Sequence, residues 1–222
     1  MMTSYKERLT GFFTKNRELT ALSIENADYT VIDTELTGLD VKKDSIVSVG
    51  AIKMKGGRID LGSLFYRLIN PANGMNHDSV VIHGITPSEV AGKPAIDVVL
   101  SEFTDFCGSD IIVGHFISLD MNFIKKELGR AGRQTFSNSV VDTRGVYEWV
   151  KESTGEYSRH YAGKPQELDL FTLAREYGIP FSEGHNALSD AFITAQLFQR
   201  FLSMLPGLGV RSARDLLKIG KP

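Results

Sequence analysis

The chain has 222 residues, enough for a sizeable core, and most simply forms one α/β domain with extensions. Twenty-five Lys and Arg against 27 Asp and Glu leave a formal net charge of −2, which excludes gripping a polyanion through bulk positive charge; such contact must run through local basic groups or metal ions. The single cysteine, Cys107, excludes an internal disulfide, and with no signal-like or membrane-spanning apolar run a soluble, cytoplasmic protein is expected.

Residues 1–26 carry Tyr5, Leu9, Phe12, Phe13, Leu19 and Leu22 at helical spacing and predict an N-terminal helical extension. A β-friendly run from Tyr29 then drives into Asp33-Thr34-Glu35-Leu36-Thr37-Gly38-Leu39. Side chains alternate along a strand, so Asp33 and Glu35 project together from its end. Like charges held that close raise each other's pKa unless a cation sits between them, and hard oxygen ligands suit Mg²⁺ or Mn²⁺. Taken alone, the pair fits a solvated turn equally well.

Ile46 to Met54 predicts a second strand, Gly56-Gly57 a hairpin, and Arg58 to Ile69 a third strand ending at Asn70-Pro71. Tight connections make these three an antiparallel meander. In Val81 to Glu89, Thr86, Pro87 and Glu89 form a capping box that opens a helix, while His83 before a glycine turn favours a structural role. Ile96, Val99, Leu100, Phe103 and Phe106 mark an amphipathic helix, with Cys107 a buried structural thiol at its end.

Asp110 to His115 is a short apolar run and predicts a buried central strand. The helix after it starts near Ser118, turns Phe123, Ile124 and Leu128 inward, and carries Asp120 in its first turn, where an acid can simply complement the helix dipole. Lys125, Lys126, Arg130 and Arg133 are the densest basic group, either a solvated face or a receiver of phosphate. Val140 to Asp142 predicts a last strand, with Asp142 capping the helix through Val146, Tyr147 and Val150. The polar stretch 151–167, with Arg159, His160, Tyr161 and Lys164, lacks periodicity and predicts a functional or mobile loop. Asp169 caps a helix that buries Leu170, Leu173, Ala174 and Tyr177 and closes at Gly178. The final helix predicts Leu188, Phe192, Ala195, Phe198 and Leu202 as its buried face, with His185 before it and Asp190 in its first turn. Residues 205–222 form a C-terminal helical tail around Arg211 to Ile219 that docks on the body or on a partner, leaving 27–204 as the main domain.

Four carboxylates, Asp33, Glu35, Asp120 and Asp190, suffice for two divalent cations about 3.5–4 Å apart, one assisting an attacking water and the other the leaving 3′ oxygen of a phosphodiester. An imidazole, ordinarily titrating near ~6.5, suits a general base, and His185 stands where one is needed. The set Asp33-Thr34-Glu35 with Thr37-Gly38-Leu39, Ile82-His83-Gly84-Ile85, Gly114-His115 with Asp120, and His185-x4-Asp190 resembles the DEDD superfamily of 3′→5′ exonucleases. It is similar to the His-x4-Asp subgroup, which includes the proofreading subunit of bacterial replicative DNA polymerase, RNase T and oligoribonuclease. The match covers about Tyr29 to Met204.

The resemblance implies a ribonuclease H-like α/β fold: a five-stranded mixed sheet, three antiparallel strands then two parallel ones, flanked by helices. It implies metal ligation by the four acids with His185 as base, and substrate contacts from Thr34, Leu36, Thr37, Gly38, Leu39, His83, His115 and Phe116. Leu36 stands where the family often has threonine, and Phe116 where asparagine is frequent; both bear on substrate contacts, and Phe116 offers a stacking surface. The expected activity is Mg²⁺- or Mn²⁺-dependent release of nucleoside 5′-monophosphates from the 3′ end of single-stranded or frayed DNA. A trimmer of short RNA or tRNA ends is the alternative, and a non-catalytic nucleic-acid-binding module the alternative of another class. A DNA polymerase or a second copy of the chain is a possible partner.

Overall fold

The computed structural model describes residues 22–71, 73–132, 136–155, 168–182 and 185–222. The expected N-terminal helix through residue 21, most of the 151–167 stretch and Arg133 lie outside the described residues.

A five-stranded sheet has the order β3-β2-β1-β4-β5, formed by β1 (Asp28–Leu36), β2 (Ile46–Lys55), β3 (Arg58–Leu68), β4 (Ile111–Gly114) and β5 (Val140–Asp142). β1 and β2, and β2 and β3, pair antiparallel; β4 joins β1, and β5 joins β4, in parallel. This is the mixed ribonuclease H-like sheet that the sequence predicts. The Gly56 turn between β2 and β3 takes a φ of +51°, and its N–H donates to the Ala27 carbonyl at 2.9 Å, tying the hairpin to the residue before β1.

Alternation along β1 divides the core. Tyr29 and Val31 face one apolar layer, shared with α5 (Thr143–Ser153), α6 (Leu170–Glu176) and α7 (Ala187–Met204). Ile32 faces the other, built with α3 (Ile96–Cys107) and α4 (Ser118–Arg130). Cys107 is fully buried there, and burial pushes its thiol up to about 12, as expected of an inert structural cysteine.

α7 lies across β1 and β2. Ala187, Ala191 and Ala195 are all fully buried, and small side chains four apart let the helix approach the sheet closely; Phe198 meets Tyr29 edge-on at 5.0 Å. This corrects the predicted buried face: Leu188 is half-buried and Phe192 is 37% exposed, because the alanine stripe turns inward and rotates them out.

The sequence also missed α1 (His77–His83). Asn76 caps it by accepting from Ser79 N at 2.7 Å, and Gly84 closes it in the left-handed region. The predicted capping box is present, with the Glu89 carboxylate accepting from Thr86 N at 2.8 Å, but α2 (Pro87–Val90) is a single turn. The basic group on α4 is partly committed. Lys126 pairs with Glu127 at 2.7 Å and donates to the Asp44 carbonyl, and Arg130 reaches Glu127 at 3.2 Å. Those contacts favour an intramolecular role over phosphate reception for both residues.

Residues after Met204 pack on the body. α8 (Ala213–Ile219) starts at Ser212, which bridges to Ser23, and Asp142 N donates to the Gly220 carbonyl at 2.8 Å. Asp142 also caps α5 through Arg144 N, the structural part expected of it.

Candidate active site

Asp33 and Glu35 leave the end of β1 on the face covered by α7. Asp33 pairs with Gly50 on β2, and a Cβ at Gly50 would collide with the backbone of Ala187 and Leu188. The missing side chain therefore lets the N-terminus of α7 sit over the strand end. Asn186 caps that helix, its Oδ1 accepting from Leu188 N and Ser189 N at 3.1 and 3.2 Å, so Asp190 falls in the first turn and His185 just before it.

Oxygens of Asp33, Glu35 and Asp190 lie within 4.8 Å of one another. His185 Nδ1 stands 3.9 Å from Asp190 Oδ2, with the side chain 46% exposed at the cleft mouth and its ring edge-on to Phe171 at 5.3 Å.

Asp120 arrives from the opposite face. Thr34 points the other way from its neighbours, and its hydroxyl donates to Asp120 Oδ1 at 2.5 Å. Asp120 is outside the 4.8 Å group, yet its charge bears on both Asp33 and Glu35. The acids thus straddle the end of β1, three on one side and Asp120 at the other.

Desolvation, then the charges of Asp120, Asp190 and Glu35, raise the Asp33 carboxyl well above its ordinary range. Burial followed by Asp190 and Asp120 pushes Glu35 up to about 8, and burial takes Asp190 and Asp120 to about 7. The charges acting on Asp33 and Glu35 are all of one sign. Moreover, Glu35 Oε1 and Asp190 Oδ1 are buried without a hydrogen-bond partner. Buried acceptors without donors are costly, and a hard divalent cation is the partner this oxygen set fits.

The other predicted residues divide. Leu39, 74% exposed, rims a hollow of about 290 Å³ lined also by Thr34, Glu35, Leu36, Thr37, Gly38, Ile82 and His83. Thr37 is turned inward, its hydroxyl accepting from Ser45 N and donating to Asp44 Oδ1, and Gly38 packs against the Asp44 carboxylate where a side chain would clash. His83 accepts from Ile85 N through Nδ1, and burial lowers its pKa. His115 lines the cleft beside the acids, with Nε2 2.7 Å from the Leu168 carbonyl and Nδ1 2.9 Å from Thr143 Oγ1, so both nitrogens are taken. Phe116 is 42% exposed with φ +52°, lines a cleft of about 340 Å³ with the acids and Phe171, and has the Arg144 guanidinium 5.0 Å from its ring.

Sequence reasoning missed Gly50, Asn186 and Phe171. Gly50 had a signal, since a glycine inside an apolar strand marks close backbone approach.

An exonuclease family profile (RNase_T) matches residues 30–198, from the strand that carries Asp33 to the helix that carries Asp190. The chain is 32% identical over 193 residues to a PolC-type DNA polymerase III of Staphylococcus haemolyticus, covering 87% of this chain and 12% of that protein. The Listeria innocua PolC-type enzyme is 34% identical over 176 residues, 79% of this chain and 11% of the relative. The chain therefore spans about an eighth of the length of these relatives. Among solved structures, exonuclease X in complex with 5′-overhanging duplex DNA superposes with a TM-score of 0.63 at 22% identity, covering 86% of this chain and 99% of that one. Escherichia coli exonuclease I with a dA16 oligonucleotide gives 0.72 at 18% identity, covering 82% and 42%. With the fold, the acidic cleft and a family match over most of its length in agreement, the chain belongs to the DEDD superfamily of 3′→5′ exonucleases.

Proposed function

We propose that this chain removes nucleoside 5′-monophosphates from the 3′ end of single-stranded or frayed DNA, using two divalent cations and His185 as general base. The carrying observation is the convergence of Asp33, Glu35 and Asp190 within 4.8 Å, with partnerless buried oxygens and an imidazole at the cleft mouth. DNA is favoured over RNA because the relatives are DNA polymerases and the solved neighbours hold DNA. A DNA polymerase is the protein partner the same relatives suggest.

The 290 Å³ hollow and the 340 Å³ cleft share Thr34 and Glu35, so they open onto the acids from two sides. On this reading the terminal nucleoside enters the hollow between Leu39 and Ile82, and the scissile phosphate rests at the acids. The preceding nucleotide then lies over Phe116, a ring available for stacking. Asp33, Glu35 and Asp190, assisted by Asp120, would hold Mg²⁺ or Mn²⁺, which when bound offsets phosphate charge and favours ionised water and a stabilised leaving oxygen. His185 Nδ1 faces Asp190, leaving Nε2 to take the proton from water as its oxygen attacks phosphorus. The P–O3′ bond breaks, the departing 3′ oxygen gains a proton, and the product keeps its 5′ phosphate.

The test is a 5′-labelled single-stranded DNA incubated with the protein and Mg²⁺ or Mn²⁺, beside an RNA of matched sequence. The proposal expects a ladder shortening from the 3′ end, abolished by chelator and faster on DNA. Binding without shortening would mean a non-catalytic module, and faster RNA digestion would mean an RNA trimmer.

A further inference from the structure

Tyr66 lies in a row that crosses three strands: it pairs with Gly50, and Gly50 pairs with Asp33. Residues opposite one another in a sheet face the same side, so Tyr66 and Asp33 flank the gap that Gly50 leaves and α7 fills. Across that gap Asn186 Nδ2 donates to the Tyr66 hydroxyl at 3.2 Å. The orientation of the Asn186 amide is settled by its other end, because Oδ1 caps α7 at Leu188 N and Ser189 N. One side chain therefore ties the start of α7 to the sheet's edge strand. The Glu35 charge also bears on the Tyr66 phenol.

The His185 ring needs such an anchor. Neither the 3.9 Å approach of His185 to Asp190 nor its edge-on contact with Phe171 is a hydrogen bond. Its placement rests on the backbone at 185–187, which Asn186 fixes. We infer that Tyr66 is a positioning residue for the exonuclease reaction: through Asn186 it holds the start of α7 so that His185 and Asp190 stay aligned over Asp33 and Glu35. The inference rests on the proposed role of His185. It assigns function to a phenol on an edge strand that belongs to none of the site's motifs.

The test compares kcat, KM and Tm on a single-stranded oligonucleotide for wild type, Tyr66→Phe, Asn186→Ser and the double variant. Tyr66→Phe removes only the hydroxyl, and Asn186→Ser keeps a capping oxygen while losing the amide donor. One hydrogen bond's alignment predicts a kcat loss of about five- to tenfold in each single variant. KM should stay within about twofold and the Tyr66→Phe Tm near wild type, with the double variant no worse than the weaker single. Unchanged kcat in Tyr66→Phe, a loss confined to KM, or losses that multiply in the double variant would overturn the inference. A wild type without nuclease activity would instead overturn the reading of the site itself.

Discussion

Gly50 of β2 lies so close to Ala187 at the start of α7 that no side chain fits between them. The contact sets the height of α7 above the strand that carries Asp33 and Glu35, and so decides whether Asp190 reaches them. Inserting a methyl group must lift the helix or bend the strand, an overpacking that costs about 1–3 kcal/mol. Gly50→Ala is accordingly expected to lower Tm by several degrees, at roughly 2–4 °C per kcal/mol for a chain of this size. Activity should suffer more, since a shift of about 1 Å between reacting groups costs on the order of a hundredfold. Gly57→Ala, where a Cβ meets nothing within 4 Å, should leave both quantities near wild type. Steady-state kinetics and thermal melts on the pair settle the matter; equal behaviour of the two variants would deny Gly50 its role.

The raised acids make stability depend on pH in a defined direction. Glu35 titrates at about 8 and Asp120 and Asp190 at about 7 in the fold, above the ordinary carboxylate range. Folding therefore takes up protons, so this contribution is whole below about pH 4 and drains away as pH rises toward about 8. Metal-free protein should melt at falling temperature across that window. Mn²⁺, which competes with the protons, should raise Tm more at about pH 8 than at about pH 5. Melts in chelator and in excess Mn²⁺ test this, and a cation-induced shift that shrinks with rising pH would contradict the shared acidic site.

Phe116 holds a left-handed backbone that only glycine adopts freely, while leaving its ring exposed in the cleft. Strain of this kind, of order 1–3 kcal/mol, is kept where surroundings impose it, often at functional sites. Phe116→Gly should hold or raise Tm while raising KM for an oligonucleotide, because a stacked base contributes about 1–3 kcal/mol. A drop in Tm with oligonucleotide KM unaltered would make Phe116 a packing residue instead.

His185→Ala is expected to lower kcat by about 10²–10⁴ while Mn²⁺ affinity stays near wild type, the pattern of a lost general base. The decisive comparison is calorimetric metal binding beside single-turnover cleavage. Unchanged turnover would remove His185 from the base role, and lost metal binding would make it a ligand.

Much of this was written in local patterns. The period of two in a strand set Asp33 and Glu35 side by side, and the first turn of a helix after His185 set Asp190. The Gly56-Gly57 turn after β2 and the polar stretch 37–45 after β1 made the meander legible. What stayed hidden depends on contacts between distant segments. Gly50 looks like any small residue in a buried strand until α7 lands on it. Phe192 fits an apolar stripe by spacing, but Ala187, Ala191 and Ala195 take the sheet. Tyr66 gains meaning only through cross-strand register and its bond to Asn186. His115 carries the same motif position whether its nitrogens are free or spent on Thr143 and Leu168.

The central claim is that acids from β1, α4 and α7 meet to hold divalent cations. Titration calorimetry of Mn²⁺ into wild type, Asp33→Asn and Asp190→Asn measures this directly, without any substrate. The account predicts about two ions per wild-type chain, with at least one lost in each variant while the fold survives. Variants that bind Mn²⁺ like the wild type, or a wild type that binds none, would contradict it.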